Sequence, residues 1–79
     1  MERSEIIENI KVILTAVLGH DRFEVVDELV AADVDGWDSL THMAIITELE
    51  EQFSVKFKLK ELNKLKNMRT LVELIQSKV

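Results

Sequence analysis

Apolar residues recur every three or four positions over much of this chain, and that recurrence predicts helices. Ile6, Ile10, Ile13, Leu14 and Val17 fall on one stripe, with Glu5, Glu8, Asn9 and Lys11 mostly elsewhere. The spacing predicts a first helix over residues 4–18, with Ser4 as N-cap and Gly19 as the stop. A second helix is predicted over residues 39–53, with Asp38 as its N-cap. Its apolar residues divide. Ile45, Ile46, Leu49 and Phe53 share a face and should point to the core, whereas Leu40 and Met43 lie toward another side and should be exposed. Residues 54–59 alternate apolar and polar, but one lone strand has no pairing partner, so the segment reads as an extended connector with Phe57 turned inward. A short third helix follows over residues 59–65. Thr70-Leu71-Val72-Glu73 reads as a capping box, which predicts a last helix from 70 or 71 to 78, with Leu71, Val72, Ile75 and Val79 as its apolar stripe.

Between the first two long helices lies a connection over residues 19–37, unusually long for a small domain and for that reason a candidate functional segment. Phe23, Val25, Val26, Leu29 and Val34 should pin it to the core, with a helical turn around residues 25–30. The architecture these signals predict is all-α. It is a four-helix bundle with a short third helix and a long loop between helices one and two. A chain of 79 residues leaves room for a single domain over 1–79.

Composition narrows the chemistry. Only 5% of the residues are aromatic, so the core must be mostly aliphatic. There is no cysteine, which excludes disulfides and thiolate metal sites and means that any thiol must come from an added group. No apolar run approaches the ~18 residues of a membrane span, and the first residues lack the basic flank of a signal peptide, so the expected location is the cytoplasm. Charge is divided along the chain. Residues 1–51 carry three basic and thirteen acidic side chains, whereas residues 52–79 carry seven basic and two acidic ones. The acidic part argues against nucleic-acid binding and for partners with basic patches.

The chemically informative stretch is Gly36-Trp37-Asp38-Ser39-Leu40. Ser39 falls in the first helical turn, with its hydroxyl at a loop–helix junction. There, free N–H groups and the helix dipole favour a phosphoryl group. Asp38-Ser39-Leu40, followed by the helix that ends in Glu50-Glu51-Gln52-Phe53, resembles the acyl carrier protein family. The likeness covers roughly residues 4–78. The resemblance implies a protein that is not an enzyme. Ser39 would be esterified by the phosphate of 4'-phosphopantetheine, drawn from coenzyme A by a phosphopantetheinyl transferase. The arm's thiol would be charged by a ligase or acyltransferase and would deliver acyl groups to enzymes of fatty acid, polyketide or related biosynthesis. It also implies a monomer that docks through its acidic second helix. Asp38, Leu40, Met43, Glu50 and Glu51 are the expected partner contacts. Thr41 and Ala44 depart from the family's acidic pattern, and so do Lys56, Lys58, Lys60, Lys64 and Lys66. That basic stretch reads either as a solvated face or as a contact for an acidic partner.

Other constellations are weaker. Ser39 and His42 are spaced i, i+3, but no orienting carboxylate or oxyanion site can be placed beside them, so His42 reads as a surface residue or partner contact. His20 reads as loop. Asp33, Asp35 and Asp38 fail the EF-hand pattern, because a glycine at its sixth position would put Ala31 first and His42 twelfth. No metal site is expected. Trp37 reads equally as a loop anchor or a partner contact. Two competing functions remain at this stage. One is an aminoacyl or peptidyl carrier, whose common Gly-Gly before the motif is replaced here by Gly36-Trp37. The other is a helical interaction domain without a prosthetic group.

Overall fold

The computed structural model describes residues 1–79 and contains no strand. Three long helices carry the fold: α1 (Arg3–Leu18), α2 (Ser39–Phe53) and, after the single-turn α3 (Leu59–Leu62), α4 (Met68–Lys78). A 3-10 turn at Ala31–Asp33 interrupts the long first loop. The core draws equally on the long helices. Ile6, Ile10, Ile13 and Leu14 come from α1; Ile45, Ile46, Leu49 and Phe53 from α2; Met68, Leu71, Val72 and Ile75 from α4. These are the i, i+3, i+4 positions of each helix, and α1 packs against both α2 and α4. The four-helix architecture of the sequence reading is the architecture observed, and the predicted bounds of α2 are met at both ends.

The first helix begins one residue early, at Arg3 with Glu2 rather than Ser4 as N-cap, because Glu5 reaches back to the N–H of Glu2. Arg3 also pairs with Asp27, tying the helix start to the long loop. Gly19 ends α1 in the left-handed conformation (φ 76°) that glycine adopts without strain.

The turn expected around 25–30 is present as a single turn at 26–29, closed by the Leu29 N–H on the Val26 carbonyl (3.1 Å). Two expectations for the last helix are corrected together: α4 starts at Met68 rather than at 70 or 71, and its N-cap is Asn67. The cause is one set of hydrogen bonds. The orphan N–H groups of Met68 and Arg69 donate to the carbonyls of Leu29 (2.8 Å) and Asp27 (3.1 Å). Loop carbonyls thus satisfy two of the first N–H groups of α4. Thr70 is inside the helix, where its N–H donates to Asn67 Oδ1 and its hydroxyl accepts from the Asn67 N–H. Phe23, Val25 and Leu29 pack on the core and Val34 is buried, but Val26 points outward at 46% exposure.

The remaining differences are at ends. The third helix stops at Leu62, with Asn63 and Lys64 in a turn. Val79 lies beyond the last helical turn and is 43% exposed, so it leaves the predicted stripe. Residues 55–58 form a connector without regular structure, extended at Lys58: Val55 and Phe57 lean on the core while Lys56 and Lys58 face solvent.

Candidate functional site

Asp38 builds the junction that presents Ser39. Its backbone is extended, and its Oδ1 accepts from the N–H groups of Leu40 (3.0 Å) and Thr41 (2.9 Å). Thr41 replies. Its Oγ accepts from the Asp38 N–H (2.8 Å) and donates to the carbonyl of Gly36 (2.7 Å). Gly36 turns the chain into this arrangement with a φ of 84°, in the region that favours glycine. Ser39 follows as the first helical residue. It is exposed, and none of these bonds engages its hydroxyl.

This geometry revises one expectation. Of the donors expected to be free at the start of α2, the N–H groups of Leu40 and Thr41 are occupied by Asp38. A phosphoryl group on Ser39 would find the helix dipole and the Ser39 N–H next to the Asp38 carboxylate, with two first-turn donors fewer to hold it. An exposed, unengaged hydroxyl on a fixed helix end fits a group that must swing.

The hydrogen bonds to Asp38, foremost that from the Thr41 N–H, hold its carboxyl below the usual carboxylate value. A depressed folded value stabilises the fold above the unfolded one, near pH 4, and the contribution is lost as pH falls through the folded value. Asp38→Asn keeps an acceptor for the helix start but has no such titration. Thermal unfolding followed at pH 7 and at pH 3 should therefore show a smaller acid loss in Asp38→Asn than in the parent. Equal losses would mean that the Asp38 cap does not cause this acid sensitivity.

Of the other predicted site residues, Leu40 (84%) and Met43 (55%) are exposed, as expected. Glu51 is exposed as well. Glu50 is half-buried, and its Oε2 accepts from the Phe57 N–H at 2.8 Å, so it has a structural duty in fixing the connector. Lys56, Lys58, Lys60, Lys64 and Lys66 are all exposed. Asp33, Asp35 and Asp38 do not converge into a group of potential metal ligands. His20 is more than loop. Its Nδ1 accepts from the Arg22 N–H, and its Nε2 bonds the Asp35 carbonyl at 2.7 Å, stitching the two ends of the long loop.

Trp37 and His42 form a unit that sequence spacing did not signal. The indole N–H donates to His42 Nδ1 at 3.1 Å, and the rings stack at 6.3 Å between centroids. Trp37 packs on the core and so anchors the loop. Both rings line a cavity of about 70 Å³ between α2, α4 and the long loop, closed elsewhere mainly by aliphatic side chains such as Leu29, Ile46, Leu65 and Leu71.

Comparison with known proteins matches this arrangement. The sequence pattern of the family described as "Phosphopantetheine attachment site" matches residues 9–75. The chain is 37% identical over 79 residues to an acyl carrier protein of Thermosynechococcus vestitus, covering 100% of this chain and 98% of that one. It is 31% identical over 77 residues to an acyl carrier protein of Thermotoga maritima, covering 98% and 95%. Its fold superposes with a TM-score of 0.85 on the solution structure of a holo acyl carrier protein from Geobacter metallireducens. That match is 38% identical and covers 92% of this chain and 84% of the other. An unengaged helix-start serine on an all-helical frame, matched along nearly its whole length at these identities, places the chain in the acyl carrier protein family.

Proposed function

We propose that Ser39 is where this carrier holds its 4'-phosphopantetheine arm. The observation that carries the reading is the junction itself: an exposed Ser39 hydroxyl, free of hydrogen bonds, on a helix end fixed by Asp38 and Thr41. Acyl carrier proteins are carriers rather than enzymes. The arm's thiol, when present, holds the acyl group as a thioester. The chain's residues present and protect; they do not activate. His42 has its Nδ1 engaged by Trp37, and the adjacent Asp38 carboxylate is engaged by the helix start. The base that takes the Ser39 proton must come from the transferase. The carrier unit is one domain over residues 1–79, working as a monomer in the cytoplasm, with fatty acid, polyketide or related pathways as its setting. The names of its relatives favour an acyl over an aminoacyl or peptidyl cargo.

Loading tests the reading. The coenzyme A-treated chain, charged with an acyl group, should lose that group to hydroxylamine, which cleaves thioesters. A hydroxylamine-resistant acyl group would contradict it.

Partners should dock on the exposed side of α2, where Leu40 and Met43 give an apolar contact beside acidic residues. Asp38 lies at the upper edge of this surface. Glu50 contributes charge there, but reversing it would also release the Phe57 N–H. Glu48 and Glu51, both exposed, are cleaner probes. Glu48→Lys with Glu51→Lys should slow transferase modification several-fold at low salt, chiefly in association rate, and the difference should shrink as salt rises. An unchanged rate at low salt would move the docking surface elsewhere.

A further inference from the structure

The cavity beside the junction has a wall that an aliphatic guest alone does not explain. An indole can only donate, so the bond from Trp37 Nε1 fixes His42 Nδ1 as the acceptor and places the ring proton of neutral His42 on Nε2. Nε2 has no hydrogen-bond partner within the protein, on a ring that lines the cavity. Two more polar residues belong to the same lining: Asn67, which spends its Oδ1 on the Thr70 N–H and leaves its amide Nδ2 unpaired, and the exposed Lys66. The other lining residues are apolar, and about 70 Å³ is room for only a few methylene-sized groups. Every polar side chain in this lining therefore has a donor to spare. His42 is also one helical turn from Ser39, so the Trp37–His42 wall is the part of the cavity nearest the arm's root in sequence.

We propose that the Trp37–His42 pair is a specificity-determining wall, suited to a short acyl chain with a hydroxyl or keto oxygen near its thioester end. This rests on Ser39 carrying the arm. Trp37 holds the imidazole in the tautomer whose Nε2–H faces outward from the pair, and an oxygen on the cargo accepts from it. An unsubstituted chain entering the same space strips water from that donor and gives nothing back. The preference is therefore for an oxygenated chain over the plain chain of equal length.

Butyryl and 3-hydroxybutyryl forms can be prepared by transferring each acyl-phosphopantetheine from its coenzyme A thioester onto the full chain. Hydroxylamine cleavage of each form is compared with that of the same acyl-pantetheine free in solution. One neutral hydrogen bond predicts about two- to tenfold more protection for the hydroxyacyl form. The single tryptophan supplies a second readout: the Trp37 indole N–H resonance should move in the hydroxyacyl form and not in the butyryl form. His42→Phe should erase the difference, whereas His42→Gln, which can still accept from Trp37 and donate to cargo, should keep part of it. Equal protection of the two chains, or a preference that survives in His42→Phe, overturns the proposal. If His42→Phe is poorly folded, the parent's indole resonance decides: no shift specific to the hydroxyacyl form overturns it. Failure of either chain to load, seen by mass, removes the Ser39 reading and this inference with it; normal loading without preference removes only the inference.

Discussion

Ser39→Ala should abolish attachment of phosphopantetheine completely while leaving the fold intact. The loss is all-or-none because no other group at the junction can take the role. Leu40 has no hydroxyl, and the Thr41 hydroxyl is committed to Gly36 and Asp38. The fold should persist because Ser39 is exposed and its side chain makes none of the bonds that start α2; those belong to Asp38 and Thr41. Alanine is also a good residue at a helical position. Intact mass and thermal unfolding, measured on the same sample, check both halves. A variant that still gains the mass of the arm, or that unfolds well below the parent, would contradict this account of the junction.

Leu49→Ala should do the reverse, removing stability and leaving the attachment chemistry in place. Leu49 is 0% exposed and sits in the core between α1, α2 and α4. Removing its side chain loses transfer free energy and leaves a cavity, which together cost ~2–5 kcal/mol. At the usual stability per residue, a domain of this size has only about 4–12 kcal/mol in all. Each kcal/mol is worth about 4–8 °C in a domain this small, so the melting temperature should fall by at least about 8 °C. Denaturant titration gives the free energy directly. A loss within about 0.5 kcal/mol, the range of surface positions, would mean that Leu49 does not face the core. Holo-protein made before unfolding should carry the same arm mass as the parent, since Leu49 lies far along α2 from Ser39.

How far the fold was legible follows from where the deciding interactions lie. The second helix was legible because its determinants are local: an Asp38 cap, apolar residues at helical spacing and a chain turn at Ser54. The start of α4 was not. Thr70-x-x-Glu73 and Asn67-x-x-Thr70 are both acceptable starts by pattern, and the choice is made by carbonyls of Asp27 and Leu29, about forty residues away. Glu50 looked like a free surface charge because the pattern cannot show the backbone returning after Ser54, whose left-handed φ of 55° brings the connector back toward α2.

The site divides in the same way. The exposed, helix-start position of Ser39 was legible from three residues and the helix behind them. Its surroundings were not. The first-turn N–H groups looked available, yet the residue that caps the helix also occupies two of them. Trp37 and His42 were noticed separately, and their pairing was missed because an i, i+5 spacing across a loop–helix junction has no helical meaning. A tryptophan and a histidine flanking a helix start, one with only a donor and one with an acceptor to give, was the available signal.

The central claim is that Ser39 and no other residue holds the arm. The most direct measurement is peptide-level mass spectrometry of the wild-type chain after incubation with coenzyme A and a broad-specificity phosphopantetheinyl transferase. The account predicts one added phosphopantetheine per chain, located on Ser39. No gain in mass, or an arm mapped to Ser4, Ser54 or Ser77, would contradict it.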